Sequence, residues 1–256
     1  MEADMWERVM EGDVTEGVVK RKPVIETLER TPAGIPGFDP LIEGGFERKS
    51  IVMLSGYAGT GKTTFALQFL HAGIKQYNEN GVFLSFSEGK ESIYIHAQRF
   101  GWNLQELEDS NKLRFLQYKA HQVSKLIEEG GGTVRDAISE INASRLVIDS
   151  ITAYGLLFKE EYKERQALLT LFELLKKWGC TTLVVSESLA VEDDPRIGNL
   201  GFLTDGIVSF YYARNQAGTR MHRVEVLKMR GTRHSNRVAD LLFERNGLRV
   251  ETALTV

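Results

Sequence analysis

Gly56-Tyr57-Ala58-Gly59-Thr60-Gly61-Lys62-Thr63 sets four fixed residue types in the spacing G-x-x-x-x-G-K-Ser/Thr. Each type has a task beside a chain of phosphates. Glycines let backbone N–H groups converge on phosphate oxygens, and a helix opening after them adds its positive end. Lys62 brings a mobile ammonium to the outer phosphates, and the Thr63 hydroxyl offers an oxygen to Mg2+. A Gly-rich turn is the bland alternative, but the four types coincide by chance in roughly 1% of chains this long. Gly56, Ala58, Gly59, Thr60, Gly61, Lys62, Thr63 and Thr64 are therefore expected to hold a nucleoside triphosphate.

A second element of such a site is a carboxylate at the end of a buried strand. Arg145-Leu146-Val147-Ile148-Asp149-Ser150 supplies one, and Asp149 is expected to share the Mg2+ ion with Thr63. Hydrolysis further needs a carboxylate that orients water. The apolar run Val82 to Phe86 ends in Ser87-Glu88, which makes Glu88 the candidate base and Glu91 the lesser one. For Glu88 the reading as an acidic residue opening the helix at Ser92 has equal weight.

Positioning these groups requires alternating strands and helices. Apolar runs at Ile51 to Leu54, Val82 to Phe86, Leu146 to Ile148, Thr182 to Val185 and Ile207 to Tyr211 predict strands. Helical periodicity spans Thr63 to Ile74, Ser92 to Phe100, a stretch carrying Leu168, Leu169, Phe172 and Leu175, and His121 to Ile141. The last is broken by Gly130-Gly131-Gly132, predicted to be a loop because glycine costs a helix interior about 1 kcal/mol relative to alanine. The fold class is α/β, a mainly parallel central sheet flanked by helices. Val224 to Met229 and Val238 to Phe243, around Gly231 and Ser235-Asn236, predict antiparallel strands at the C-terminal end.

Composition sets the frame. The 256 residues are 42% hydrophobic and 26% charged, with a formal net charge of -3, which suits a chain that buries a substantial core. Residues 1–29 lack an apolar stripe and are expected to form an arm, docked or mobile, ahead of one domain over 30–256. The single cysteine, Cys180, excludes a disulfide framework and multi-cysteine zinc sites; it is expected to be a small buried hydrophobe, and the cytoplasm is the expected compartment. No apolar run reaches the length of a membrane span, so membrane insertion is not expected. His71, His96, His121 and His222 follow no metal-ligand rhythm and read as surface or packing residues. Glu187, at the end of the strand after Cys180, could sense the outer phosphate from the sheet's carboxyl edge, with a plain salt bridge as the favoured reading.

Together with Thr31 to Asp39, Gly44-Gly45 and Ala97 to Trp102, these motifs are joined by Lys228-Met229-Arg230-Gly231-Thr232-Arg233-His234. From about residue 31 onward the chain resembles the KaiC-like branch of the RecA superfamily. The resemblance implies a RecA-like P-loop fold binding ATP and Mg2+, a hexameric ring, and a strand that reaches the nucleotide of a neighbouring subunit. By that match Lys228 and Arg230 act in trans on the outer phosphate, Met229, Thr232 and His234 line the same side, and Arg99 lies near the base or sugar. A strand would put Lys228, Arg230 and Thr232 on one face. Two departures matter. Ser87 and Glu88 stand where the family has adjacent glutamates, which implies slow or absent hydrolysis. Gly201 and Phe202, just before Thr204-Asp205, stand where KaiC has its autophosphorylated Ser-Thr pair, so no phosphorylation cycle is expected.

Three functional readings follow. The first is an ATP-binding, slowly hydrolysing ring that regulates a client protein. The second is a recombinase-related DNA-binding module, for which residues 214–237 carry seven Lys/Arg against the single Glu225, and Tyr211 and Tyr212 could stack on bases. It is the less favoured, because nucleotide recognition already employs some of those cations. The third is a regulator that binds ATP without turnover.

Overall fold

A computed structural model describes residues 29–119, 122–123, 126–127, 130–187 and 201–252. The expected arm, apart from Glu29, and His121 lie outside the described residues. The chain opens with a short antiparallel ribbon of β1 (Arg30–Thr31) and β2 (Phe46–Glu47) around a 3-10 turn, Asp39–Ile42. The Asp39 carboxylate accepts the N–H groups of Ala33 (2.7 Å) and Gly34 (3.4 Å), so this turn-rich segment folds around one of its own side chains. Desolvation raises the Asp39 pKa, against the pull of those two N–H groups.

The strand and helix alternation then follows. β3 (Ile51–Gly56) leads into α1 (Lys62–Tyr77), then β4 (Gly81–Ser85), α2 (Lys90–Gln98), α3 (Leu104–Asp109) and β5 (Leu113–Gln117). Next come α4 (Gly132–Glu140), β6 (Arg145–Asp149), α5 (Ile151–Gly155), α6 (Glu161–Trp178) and β7 (Thr181–Ser186). The chain finishes with β8 (Gly206–Arg214), β9 (Arg220–Met229), β10 (Ala239–Glu244) and β11 (Gly247–Glu251). The nine strands form one sheet in the order β11-β10-β9-β8-β3-β7-β6-β4-β5. From β8 to β5 neighbours run parallel; β9, β10 and β11 are antiparallel.

Strand alternation divides the core in two. Val52, Leu54, Phe83, Val147 and Val185 face α1 and the lead-in, while Ile51, Val82, Leu84, Ile148 and Val184 face α4 and α6. Phe65 of α1 stands edge-on to Phe38 at 5.0 Å and to Phe210 at 5.3 Å, a geometry worth about 0.5–1.5 kcal/mol per pair beyond burial. Arg145 is fully buried at the start of β6. Its guanidinium meets Glu79 through Nη2 at 2.6 Å and Nε at 2.7 Å, donates to the Phe69 carbonyl at 2.7 Å, and lies over the Phe69 ring.

The structure extends and amends the predicted elements. β5, β11, α3 and α5 are too short or too weakly patterned to stand out in sequence. The glycine triplet is not wholly loop: Gly131 caps α4 at φ +67° and Gly132 is its first residue, where a glycine costs less than in an interior. β9 ends at Met229, with a register shift opposite Ile207/Val208, and the Thr232 N–H turns back to the Met229 carbonyl. Arg230 and Thr232 therefore do not continue a strand face with Lys228. Cys180 is buried, as expected, and desolvation pushes its thiol pKa up to about 12. Among the described residues no helix is long and apolar enough to cross a membrane.

Candidate functional site

The phosphate loop connects β3 to α1. Gly56, at φ +153°, runs so close to β8 that a Cβ there would strike the Phe210 carbonyl. Gly61, at φ +104°, caps α1, and a Cβ on it would lie 2.8 Å from the Phe243 ring. Both positions need glycine, for backbone angle and for space. The ammonium of Lys62 donates to the carbonyls of Gly56 (2.7 Å) and Tyr57 (2.8 Å), and Thr60 Oγ1 donates to Tyr57 O at 2.8 Å. Burial lowers the Lys62 pKa, while Glu187 and Asp149 oppose that shift.

Asp149 ends β6, two strands from β3 in the sheet, with β7 between them. Its Oδ2 accepts from Thr63 Oγ1 at 2.6 Å. Burial raises its pKa, the Thr63 hydroxyl and Lys62 pull it down, and Glu88 and Glu187 push it up. Lys62, Asp149, Glu88 and Glu187 thus share one electrostatic neighbourhood at the carboxyl edge of β3, β4, β6 and β7. A hydroxyl and a carboxylate, both hard oxygen donors in contact, fit Mg2+, which is held through one or two protein groups plus phosphates. Glu88 follows β4; Ser92 Oγ donates to its Oε2 at 2.9 Å, and His96 Nδ1 lies 3.9 Å from the same oxygen. Its carboxylate thus bonds the first turn of α2, whose N-cap is Gly89, so Glu88 both opens that helix as an acidic residue and stands beyond the carboxyl end of β4.

Lys228 and Arg230 lie at the opposite edge. Lys228 pairs with Ile207, whereas Gly56 pairs with Phe210, so the cation is three β8 residues, roughly 10 Å, away from the root of the loop along the strand. The loop extends in the other direction, and β9 lies two strands across. Neither cation reaches the phosphate loop of its own chain. Lys228 Nζ donates to the carbonyls of Gly201 and Thr204, both at 2.6 Å, and Arg230 pairs with Asp205 at 3.3 Å and donates to Phe202 O at 2.9 Å. The Met229 side chain is buried in the core. Thr232 Oγ1 accepts from Arg30 at 2.6 Å, which joins this segment to the lead-in, and His234 Nδ1 lies 3.3 Å from the adjacent Ser235 O. Arg99 is exposed at the carboxyl end of α2.

Residues that the sequence did not assign to the site, or assigned only as the lesser reading for Glu187, also surround the loop. The His222 ring stands 4.9 Å from Tyr212 and 4.7 Å from Phe243 and hydrogen-bonds to the Gly59 backbone. Desolvation holds its pKa below the ordinary imidazole value despite that bond. Arg220 covers the Tyr212 ring at 4.4 Å. These contacts depend on the β8–β9 register, which no local spacing announces. The Glu187 carboxylate raises the pKa of both Lys62 and Asp149 through space, and the Glu187 N–H is anchored by Thr152 Oγ1 at 2.8 Å. Its position at a strand end beside Asp149 was the available signal.

Comparison with known proteins gives the same assembly a lineage. The family model described as "ATPase: KaiC" matches residues 31–254. The circadian clock oscillator protein KaiC of Parasynechococcus marenigrum (strain WH8102) is 36% identical over 221 residues, 81% of this chain and 42% of that protein. The chain thus spans less than half the length of the clock proteins it matches. The UPF0273 protein MK0039 of Methanopyrus kandleri is 31% identical over 241 residues, 88% of this chain and 92% of that protein. Among solved structures, the KaiC-like protein PH0186 of Pyrococcus horikoshii OT3 superposes with a TM-score of 0.77 at 34% identity, covering 87% of this chain and 99% of that one.

Proposed function

Because the chain belongs to the KaiC family of ATPases, we propose that it is a ring-forming, slowly hydrolysing ATPase whose nucleotide state regulates its contacts with a client protein. One observation carries this reading. The loop that would grip the triphosphate and the cations that would compensate its outer charge lie on opposite edges of one sheet, with Lys228 facing Ile207 and Gly56 facing Phe210. A complete site then needs two copies, each giving its loop to one neighbour and its cations to the other. Repeating such a head-to-tail contact gives a ring where the rotation closes, and the resemblance to the KaiC family makes six copies the expected number.

Within one site the division of labour follows from the chemistry. The backbone N–H groups of the loop and Lys62 bind the phosphates, and Thr63 with Asp149 would hold Mg2+, which neutralises charge on the outer phosphates when bound. Glu88, steadied by Ser92, orients the attacking water and takes up its proton. Lys228 and Arg230 of the adjoining copy stabilise charge on the transferred phosphoryl group. Ser87 stands where the family pattern has the first of two adjacent glutamates, which leaves Glu88 as the one carboxylate of that pair and is expected to slow turnover.

Nucleic-acid binding is the weaker alternative. Of the cations between 214 and 237, Arg223 pairs with Asp240, Arg230 with Asp205 and Arg233 with Glu43, while Lys228 is held by carbonyls. Asp240, Asp205 and Glu43 thus offset part of that charge, which leaves less of it for a phosphate backbone. Light scattering with and without ATP and Mg2+, paired with phosphate release by the parent and by Arg230→Ala, tests the ring reading. A six-fold mass with ATP and a loss of turnover in the variant are expected; a monomer under all conditions with unchanged turnover would overturn it.

A further inference from the structure

Asp205 has all its polar groups engaged. Its N–H donates to Ile51 O at 2.8 Å, its carbonyl accepts from Arg230 N–H at 2.8 Å, Oδ2 accepts from Ile51 N–H at 3.0 Å, and Oδ1 faces Arg230 Nη1 at 3.3 Å. One side chain therefore joins the first residue of β3 to the guanidinium of Arg230. The residues just ahead of it complete a cradle of oxygens: Phe202 O takes Arg230 Nη2, and Gly201 O with Thr204 O takes Lys228 Nζ. An ammonium has three protons, and two are fixed by carbonyls, which sets the direction of the third. Arg230 likewise keeps part of its fork uncommitted, with its side chain about half exposed.

Cations arranged in this way differ from flexible surface charges. Two like charges held close together repel, and each long side chain loses rotamer freedom on binding an anion. A carboxylate and three carbonyls offset the repulsion and meet the ordering cost before any ligand arrives, as preorganised electrostatic groups do. Burial and the neighbouring Arg230 lower the Lys228 pKa and Asp205 counters them, in keeping with this geometry. We propose that Asp205 is the positioning residue for the pair Lys228 and Arg230, setting both for the outer phosphate of a triphosphate bound by a second copy of this chain. The inference rests on the reading that these cations act in trans.

Subunit mixing separates the two ideas. The readout is affinity for a fluorescent non-hydrolysable ATP analogue relative to its diphosphate counterpart, measured on assembled protein, so turnover is not required. Asp205→Asn keeps an acceptor for Ile51 N–H but turns an amide toward Arg230. It is expected to lower the triphosphate preference about tenfold, the scale of one charge-assisted hydrogen bond, and to lower it by less in an Arg230→Ala background, where only Lys228 is left to position. Mixed with excess Lys62→Ala subunits, whose loops fail to hold triphosphate but whose cations are intact, both Asp205→Asn and Arg230→Ala subunits should regain that preference. If Arg230→Ala is rescued and Asp205→Asn is not, Asp205 acts on its own β3 and loop and the proposal is overturned. If neither is rescued, the trans reading falls and takes the proposal with it. Should Asp205→Asn not fold, Asp205→Ser, which also keeps an acceptor near Ile51 N–H without the charge, takes its place with the same expected outcomes.

Discussion

The Thr63 hydroxyl donates to the Asp149 carboxylate at 2.6 Å, joining the first turn of α1 to the end of β6 across the intervening strand β7. Two residues 86 positions apart are thereby set as one oxygen pair for a hard cation. Removing either oxygen should weaken Mg2+-dependent ATP binding more than metal-free binding. For Thr63→Ala and Asp149→Asn the expected loss is on the order of tenfold to a hundredfold in the Mg2+-dependent component. Titration of a fluorescent ATP analogue with and without Mg2+ checks it; equal losses in both conditions would count against the metal assignment.

Glu88 is held by Ser92 Oγ at 2.9 Å beside the electrostatic field of Asp149. Glu88→Gln should keep ATP affinity and lose about a hundredfold in phosphate release, the scale of general-base catalysis. Ser92→Ala leaves the carboxylate in place but less directed, so a smaller loss with unchanged nucleotide affinity is expected. Steady-state phosphate release alongside equilibrium binding separates the two effects. Equal and negligible release in parent and Glu88→Gln would favour a regulator that binds without turnover.

Arg145 is fully buried, and Glu79 is its carboxylate partner at 2.6 Å. Desolvation lowers the Arg145 pKa, and the Glu79 carboxylate opposes that shift. Glu79→Ala leaves a buried cation without its counter-charge and should destabilise the fold by about 3–5 kcal/mol. Arg145→Met, which removes the charge as well, should cost less than that despite changing the larger side chain. Urea unfolding of both variants tests the ordering.

His71 stacks on Trp102 at 5.4 Å, and burial, reinforced by Lys75, holds its pKa below 6.5. As pH falls through 6.5 the unfolded chain takes up the proton first, so stability drops below that pH and is unaffected by this group above it. His71→Phe keeps the stack and removes the proton, and should flatten the decline relative to the parent. His222 has a lowered pKa and the same sign, whereas the raised pKa of Asp39 acts oppositely at lower pH. Urea midpoints of parent and variant between pH 8 and about pH 5 read the difference directly.

Much of the molecule was legible in the residues because its signals are local. The phosphate loop is contiguous, the strands that bear it are unbroken apolar runs, and the antiparallel end follows from turn residues around Gly231. Short elements escaped: α5 is a five-residue helix, and β5 has a mostly half-buried pattern that lacks an apolar run. The start of β9 at Arg220 also escaped, as did the turn after Met229 that takes Arg230 and Thr232 out of line with Lys228.

The chain by itself determined which groups are present and which lie next to one another: a lysine after a glycine turn, a carboxylate closing a buried strand, two cations one residue apart. Spacing of that kind is covalent and survives in any conformation. Only the tertiary structure decided that Asp149 meets Thr63, that Glu187 and His222 stand by the loop, and that Lys228 and Arg230 face away from it, cradled by Asp205. The physical reason is that strand order and register are collective outcomes of burying two core faces at once. A shift of one residue in β8 against β9 would reverse which side chains point where while leaving every motif in the sequence untouched.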